Sequence, residues 1–101
     1  MTVKLVVLYT QPADQEAFDR QYFDTHMPLV HKVPGLQRAE TGRFTAAADG
    51  GEVTYYRCAE LYFPDQETLS AALQTEECGA AAADYQQIAP PGSRMFVEIL
   101  D

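Results

Sequence analysis

The stretch from Phe18 to Leu36 constrains the fold of this chain more than any other. Apolar or aromatic side chains and one histidine recur there at a spacing of four residues, which predicts a helix with one inward stripe. The stripe consists of Phe18, Tyr22, His26 and Val30. Pro28 interrupts the helix because it lacks an N–H group and disfavours helical geometry at Met27. We therefore expect either a kink or a helix that stops near His26 and restarts with Pro28 in its first turn.

The rest of the chain alternates between strand-like and helix-like patterns. Apolar and aromatic runs predict four strands, at about Val3–Tyr9, Leu36–Thr45, Val53–Phe63 and Arg94–Leu100. Helices are predicted after the N-caps Asp14, Asp65 and Thr75, the first running to about His26 with a short continuation to about Lys32. The order is β-α-β-β-α-β, the ferredoxin-like α+β arrangement of four antiparallel strands with helices on one side. With 101 residues, we expect one domain over positions 1–101.

Apolar side chains occur on both faces of several predicted strands, whereas a half-exposed sheet normally alternates polar and apolar residues. The last strand carries Met95, Val97 and Ile99 on one face and Phe96 and Leu100 on the other. In the third strand, alternation places Tyr56, Cys58 and Tyr62 opposite Tyr55, Ala59, Leu61 and Phe63. Two helices cover only one face of the sheet, and exposing several such side chains forfeits several kcal/mol. We therefore predict a homodimer with an isologous interface; the alternative is a monomer with an open apolar platform.

The charge balance argues against two classes of partner. Fifteen acidic and seven basic residues give a formal net charge of −8. Such a surface repels nucleic-acid backbones and anionic lipid headgroups, so we expect neither nucleic-acid nor membrane binding. The first apolar run is too short for a membrane span, and nothing resembles a signal peptide. Cys58 and Cys78 are expected to be reduced, packed thiols, which is typical of a cytoplasmic protein.

His26 is the strongest candidate for a functional residue. A titratable imidazole on the inward side of a helix can accept or donate a proton near neutral pH. In an apolar cavity its neutral form is favoured, which suits a general base. Tyr22 precedes it by one helical turn and is expected to orient a ligand or the imidazole through its hydroxyl. The alternative is a structural histidine that satisfies the Asp24 carbonyl freed by Pro28, or another local acceptor.

Three further candidates lie in the third predicted strand. Tyr55 and Tyr62 would stack on a ligand, and Arg57 would fix a carboxylate or phenolate. Their alternatives are core or interface aromatics for the tyrosines, and an ion pair with Glu60 or Glu98 for the arginine. No Cys/His spacing fits zinc, and glycine-rich phosphate loops and serine-nucleophile elbows are absent. We therefore expect neither a metal nor a cofactor.

The chain contains the segment YFDTHMPLVHKVPGL, preceded by VKLVVLYTQPADQEAFDRQ and followed by Ala59-Glu60-Leu61 in the aromatic third strand. These segments resemble the EthD family, which is named for a protein of ethyl tert-butyl ether degradation. The most specific part of the resemblance is Tyr22-x-x-x-His26-x-Pro28 with Pro34-Gly35-Leu36 behind it. The resemblance covers essentially the whole chain. It implies a dimeric α+β barrel, in which two ferredoxin-like sheets pack face to face and each subunit has a pocket.

The resemblance implies no single activity, since the founding member of the family has no established chemistry. The wider superfamily includes aromatic-polyketide decarboxylases, lactone isomerases, cofactor-free quinone-forming monooxygenases and haem-degrading enzymes. The last group relies on a pocket tryptophan, which this chain lacks; among the rest, fold analogy does not choose. Two function classes remain. One is a cofactor-independent enzyme that uses His26 on a small hydrophobic or aromatic molecule. The other is a non-catalytic binding or accessory protein that supports a partner oxygenase in a degradation pathway.

Overall fold

The strand β1 (Val3–Thr10) lies inside the sheet of the structure, a computed structural model that covers residues 1–101. It pairs antiparallel with β3 (Tyr55–Phe63) on one side and with β4 (Arg94–Ile99) on the other. β2 (Arg38–Arg43) pairs antiparallel with the outer side of β3, so the strand order is β2-β3-β1-β4. This arrangement confirms the predicted four-stranded antiparallel sheet of the ferredoxin-like α+β fold.

Five helical segments connect these strands. They are α1 (Gln15–Gln21), a π-helical turn (Tyr22–His26), α2 (Met27–Val30), α3 (Gln66–Ala72) and α4 (Glu76–Ile88). All three predicted N-caps are present, since the side chains of Asp14, Asp65 and Thr75 each accept a hydrogen bond from a first-turn amide. Each of them satisfies one of the N–H groups that a helix leaves unpaired at its start. None of the five segments is both long and apolar enough to cross a membrane.

The break at Pro28 takes the form of a widened helical turn. The Met27 amide donates to the Tyr22 carbonyl, five residues earlier, where an α-helix would use the carbonyl four residues earlier. Pro28 then lies in the first turn of α2, where its missing N–H leaves no helical bond unmade. The predicted restart with Pro28 in the first turn is therefore confirmed. The π-helical geometry at the junction is a finding that the sequence pattern did not predict.

The predicted inward stripe of this helix packs against the sheet. Phe18, Tyr22, His26 and Val30 are buried, with no more than 6% of any of them exposed. They join a hydrophobic core that includes the helix-facing residues Val3, Val7 and Tyr9 of β1. The widened turn therefore keeps the imidazole pointed into the space between helices and sheet.

A β-bulge in β3 corrects one of the strand faces predicted above. Tyr9 pairs with Arg57 and Thr10 pairs with Tyr55, so Tyr56 is an extra residue on β3. Strict alternation places Tyr56 on the face of Cys58 and Tyr62, and that prediction is wrong. The predicted face of Tyr55, shared with Ala59, Leu61 and Phe63, is wrong as well, because Tyr55 pairs with Thr10. The bulge turns Tyr56 toward α1, where its hydroxyl donates to the Asp19 carboxylate at 2.7 Å.

The second face of the sheet, which we name the open face, has no helix over it. Register places Val6, Leu8, Cys58 and Phe96 on this face, together with the polar or charged residues Lys4, Glu60, Tyr62, Arg94 and Glu98. Lys4 Nζ lies 3.0 Å from a Glu98 carboxylate oxygen and 3.4 Å from one of Glu60. The edge strand β4 is exposed along its whole length, on both of its faces. The open face thus carries an apolar patch with an ion-pair network at one end and Arg94 at the other, where the guanidinium lies 4.8 Å from the centre of the Phe96 ring.

Leu69 provides a direct test of how the helices pack on this sheet. Its side chain is fully buried, so we expect Leu69→Ala to lower the free energy of unfolding by about 3 kcal/mol. Leu73 follows it by one helical turn and is 48% exposed, so Leu73→Ala is the matched control, with an expected loss below about 1 kcal/mol. Urea denaturation of both variants measures the difference. Equal losses would contradict the packing described here.

Candidate active site

His26 makes two hydrogen bonds that define its tautomer. Its Nδ1 lies 2.9 Å from Asp84 Oδ2, and its Nε2 lies 3.3 Å from the Tyr9 hydroxyl. Because an ionised carboxylate only accepts hydrogen bonds, Nδ1 carries the proton and donates to Asp84. In the neutral imidazole Nε2 then carries the lone pair, and the Tyr9 hydroxyl donates to it. The side chains form a linear array, Tyr9–His26–Asp84.

Asp84 is held from both of its oxygens. It lies on the inner face of α4 and is 8% exposed. Oδ2 accepts from His26, and Oδ1 accepts from Gln21 Nε2 at 3.1 Å. A buried carboxylate needs such partners because its desolvation is costly. Both donors come from the helical segment that ends at the π turn, so α4 and this segment together position the imidazole.

The aromatic side chains around His26 fix its ring plane. The Tyr22 ring stacks on the imidazole, with ring centroids 5.7 Å apart and an angle of 24° between the planes. Tyr9 packs edge-on against Tyr22, with centroids 5.5 Å apart. The Tyr22 hydroxyl is buried and makes no hydrogen bond. Tyr22 therefore contacts the imidazole through its ring face, and not through the hydroxyl as we expected from the sequence.

Burial and hydrogen bonding set the protonation states of the array. Burial lowers the pKa of His26, and the hydrogen bond to Asp84 offsets part of that shift. The neutral imidazole is therefore the form present at neutral pH. Burial raises the pKa of Tyr9, and the neighbouring Tyr22, Tyr85 and Asp84 raise it further. The Tyr9 hydroxyl thus stays protonated and available as a donor.

A cavity of about 120 Å³ lies between the helices and the sheet, and His26 forms part of its wall. Its other walls are apolar or aromatic, apart from the thiol of Cys78. The lining residues are Leu5, Val7, Tyr9, His26, Val30, Val33, Leu61, Phe63, Leu69, Ala72, Leu73, Cys78, Ala81, Ala82, Tyr85 and Met95. Three of them, Leu73, Ala82 and Met95, are exposed and form what we name the rim. The array and the cavity together place a neutral base and a hydroxyl donor at the wall of an apolar space.

The structure brings His26 and Tyr22 together and places the Arg57 guanidinium 5.4 Å from the centre of the Tyr22 ring, but none of the three candidates on β3 lines the cavity beside His26. Arg57 is buried against α1, where its Nε donates to Asp19 at 2.9 Å. Its ion pair is therefore with Asp19, and not with Glu60 or Glu98. Tyr62 lies on the open face and donates to Glu40 and Glu60. Neither of these residues, nor Tyr55, lines the cavity beside His26.

Sequence reasoning missed two members of the array, Tyr9 and Asp84. Tyr9 ends the first predicted strand, where the pattern does not distinguish it from the apolar residues before it. Asp84 lies in a predicted helix among alanines, where an acidic residue is normally solvent-exposed. The sequence does contain one indication that Asp84 faces the core. It lies three residues after Ala81 and six after Cys78, so a helix places all three close to one face.

Comparison with known proteins decides the family. Residues 10–90 match the EthD domain. The chain belongs to the EthD family. An EthD family protein of Bacillus halodurans has a solved structure that is 37% identical, covers 100% of both chains and superposes with a TM-score of 0.93. An uncharacterised 11.0 kDa protein of Rhodococcus erythropolis, from the thcB–thcC intergenic region, is 34% identical over 92% of this chain and 89% of its own.

More distant structures share the fold of this EthD protein. The hydroxynitrile lyase of Passiflora edulis is 11% identical over 99% of this chain and 94% of its own, with a TM-score of 0.80. SnoaB of Streptomyces nogalater, a cofactor-independent oxygenase, is 16% identical over 98% of this chain and 92% of its own, with a TM-score of 0.70. Several other ferredoxin-like neighbours are described as dimeric. At these identities the similarity concerns the fold alone.

The lowered pKa of His26 predicts a specific pH dependence of stability. Below pH of about 6.5 the unfolded chain binds a proton at this histidine, while the folded chain does not until a lower pH. We expect the wild-type free energy of unfolding to fall, relative to His26→Gln, as the pH drops from about 6.5 toward the folded pKa. Urea denaturation between pH 5 and pH 8 measures that difference. His31→Gln, at an exposed position, is the control, and its free energy of unfolding should follow that of the wild type across this pH range. If the free energy of His26→Gln also follows that of the wild type, the lowered pKa of His26 is contradicted.

Proposed function

We propose that this EthD protein is a cofactor-independent enzyme that binds a small hydrophobic or aromatic molecule and moves a proton on it through His26. One arrangement carries the proposal: His26 lines an otherwise apolar cavity, and its hydrogen bond to Asp84 through Nδ1 leaves Nε2 as the unprotonated ring nitrogen. The hydrogen bond from Nδ1 to Asp84 keeps that nitrogen as the base. Asp84 also stabilises the imidazolium that forms when Nε2 takes a proton.

The array supports one concrete proton transfer. Nε2 accepts a proton from a carbon adjacent to a carbonyl group, so that the C–H bond breaks and an N–H bond forms. The electron pair moves onto the carbonyl oxygen, which becomes an enolate oxygen. Without a ligand, the Tyr9 hydroxyl lies 3.3 Å from Nε2. When the ligand displaces this contact, the hydroxyl donates a hydrogen bond to the enolate oxygen and stabilises its charge. Return of the proton to a different atom gives an isomerisation. If the proton on Nε2 is first replaced by one from solvent, protonation of the same carbon gives exchange with solvent.

The distant structural neighbours are consistent with this class of chemistry. One is described as a cofactor-independent oxygenase and another as a hydroxynitrile lyase. Both descriptions belong to those proteins, and the similarity of fold does not choose between their reactions. The support that they give is that this architecture carries small-molecule enzymes. The arrangement around His26 is the basis of the proposal for this chain.

The alternative function is a binding or accessory protein whose cavity holds a hydrophobic metabolite without turnover. The same apolar walls would serve that role, and a neutral histidine would then act as a hydrogen-bonding group. The two functions differ in one measurable respect. An enzyme exchanges protons with its ligand in a His26-dependent way, whereas a binding protein only retains the ligand.

We further propose that the protein acts as a homodimer that packs through the open face. Phe96 on this face is 43% exposed, and Val6 and Leu8 lie beside it on β1. Covering these side chains with a second copy would recover part of the free energy that their exposure forfeits. Several neighbours of the same fold are described as dimeric, which supports the same arrangement.

A cytoplasmic location belongs to the same proposal. Both cysteines are free, and burial raises the pKa of each thiol. Thiols of this kind are typical of a reducing compartment. The net charge of −8 supports the expectation that neither nucleic acid nor a membrane surface is the partner.

Solvent deuterium incorporation tests the catalytic proposal. We expect the wild type in D₂O to exchange a C–H proton of at least one small neutral ketone, aldehyde or nitrile in a panel. His26→Gln should slow that exchange by roughly 10²- to 10⁴-fold, since this is the usual contribution of a general base. Asp84→Asn should slow it as well, because the carboxylate fixes the tautomer, whereas His31→Gln should leave it unchanged. Mass spectrometry follows the exchange. Binding of a panel member with no exchange would favour the accessory function.

Light scattering on the purified protein tests the dimer. We expect twice the chain mass of 11.2 kDa. Phe96→Arg should shift the population to monomer, since it places a charge at the centre of the proposed interface. Val97→Arg is the matched control, because Val97 is the next residue on β4 and points to the opposite face. Equal effects of the two substitutions would contradict packing through the open face.

A further inference from the structure

We propose that the cavity selects an uncharged ligand of about the size of benzene that carries a single hydroxyl or carbonyl group, and that it rejects carboxylates. This inference rests on the proposed function, because it assigns the substrate class of the same site. It follows from three properties of the cavity, namely its volume, the position of its polar atoms and the sign of the charge behind them.

The volume sets the size of the ligand. The cavity measures about 120 Å³. An engineered apolar cavity of about 150 Å³ in another protein stays dry and binds benzene. A ligand of roughly six non-hydrogen atoms in its ring or chain therefore fills the space beside His26. A larger molecule must extend past the rim, where Leu73 and Met95 are exposed and the methionine side chain is flexible.

The polar side chains of the cavity other than Cys78 lie close together at one end. Tyr9 contacts His26 directly, and the Tyr85 ring lies 5.6 Å from the Tyr9 ring. Leu5 is four residues away from Tyr9 on the same face of β1, at a distance of about 13 Å. The remaining lining side chains, which include Leu5 and Phe63, are apolar apart from the Cys78 thiol, which is only a weak hydrogen-bonding group. A ligand with one polar group is satisfied at the Tyr9 end, whereas a second polar group would be buried without a partner.

The charge behind the polar end disfavours anions. Asp84 lies directly behind the imidazole, and no lysine or arginine lines the cavity. The buried arginine nearest to these helices, Arg57, is paired with Asp19. A carboxylate entering the cavity would lose its hydration with no cation to replace it. It would also face the Asp84 carboxylate across a neutral imidazole.

A series of four six-membered-ring probes tests the inference on the wild-type protein. Cyclohexanone and cyclohexanol are uncharged and carry one polar group, cyclohexane carries none, and cyclohexanecarboxylate is anionic at pH 7.5. We expect the first two to bind, the hydrocarbon to bind at least about tenfold more weakly, and the carboxylate at least about 100-fold more weakly. These factors correspond to about 1.4 and 2.8 kcal/mol.

NMR of the methyl-labelled methionines shows where a probe binds, and two of the three methionines serve as controls. Methyl-labelled Met95 lines the cavity, Met27 is buried outside its lining and Met1 is 79% exposed. We expect the Met95 methyl resonance to shift on titration with cyclohexanone and the Met1 resonance to stay in place. Ala82→Leu narrows the rim and should weaken binding by at least about tenfold. Ala80→Leu is the matched control on the same helix, since Ala80 is exposed and does not line the cavity.

The results that overturn this inference differ from those that overturn the proposed function. Tighter binding of the carboxylate than of the ketone, binding that leaves Met95 unmoved, or no binding of any probe would overturn the substrate class. Binding in the expected order without deuterium exchange into any ligand would support the substrate class and contradict only the catalytic role of His26.

Discussion

The hydrogen bond between His26 Nδ1 and Asp84 Oδ2 is the interaction on which the candidate site depends. It joins the π-helical turn to α4 across the top of the cavity, at 2.9 Å and with both side chains less than a tenth exposed. A buried carboxylate and a buried imidazole would each be costly alone, and each satisfies the other. The bond also decides which ring nitrogen carries the proton. Without it, the imidazole would have no fixed tautomer and Nε2 would not be a defined base.

The π-helical turn shows how a local backbone constraint produces this geometry. Pro28 has no N–H to offer to the carbonyl four residues before it. The chain responds by widening the preceding turn and restarting the helix with Pro28 in its first turn. Single π-helical turns are often found at functional sites because they re-aim side chains inside an otherwise regular helix. Here the turn ends at His26 and leaves it stacked on Tyr22 and bonded to Asp84.

Much of the fold was predictable because its determinants are local. Asp14, Asp65 and Thr75 cap the helices that were expected to follow them, and the strand order follows from the sequence of elements. Strand ends were less predictable: β2 begins at Arg38 and not Leu36, because Gln37 makes only a single bond to the Tyr62 carbonyl. The bulge at Tyr56 could not be predicted, since it depends on pairing with β1. The same limit applies to Asp84, whose partner lies 58 positions away in the chain. His26 was predictable as a candidate; the groups that set its tautomer were not.

The protonation state of the His26 ring nitrogens at pH 7 tests this account most directly. Long-range ¹H–¹⁵N spectra of the imidazole distinguish a protonated Nδ1 from a protonated Nε2, and a pH titration gives the pKa of the ring. We predict a neutral ring with the proton on Nδ1, and a pKa below the ordinary value of about 6.5. An imidazolium at pH 7, or a neutral ring with the proton on Nε2, would contradict it, because no base would then face the cavity.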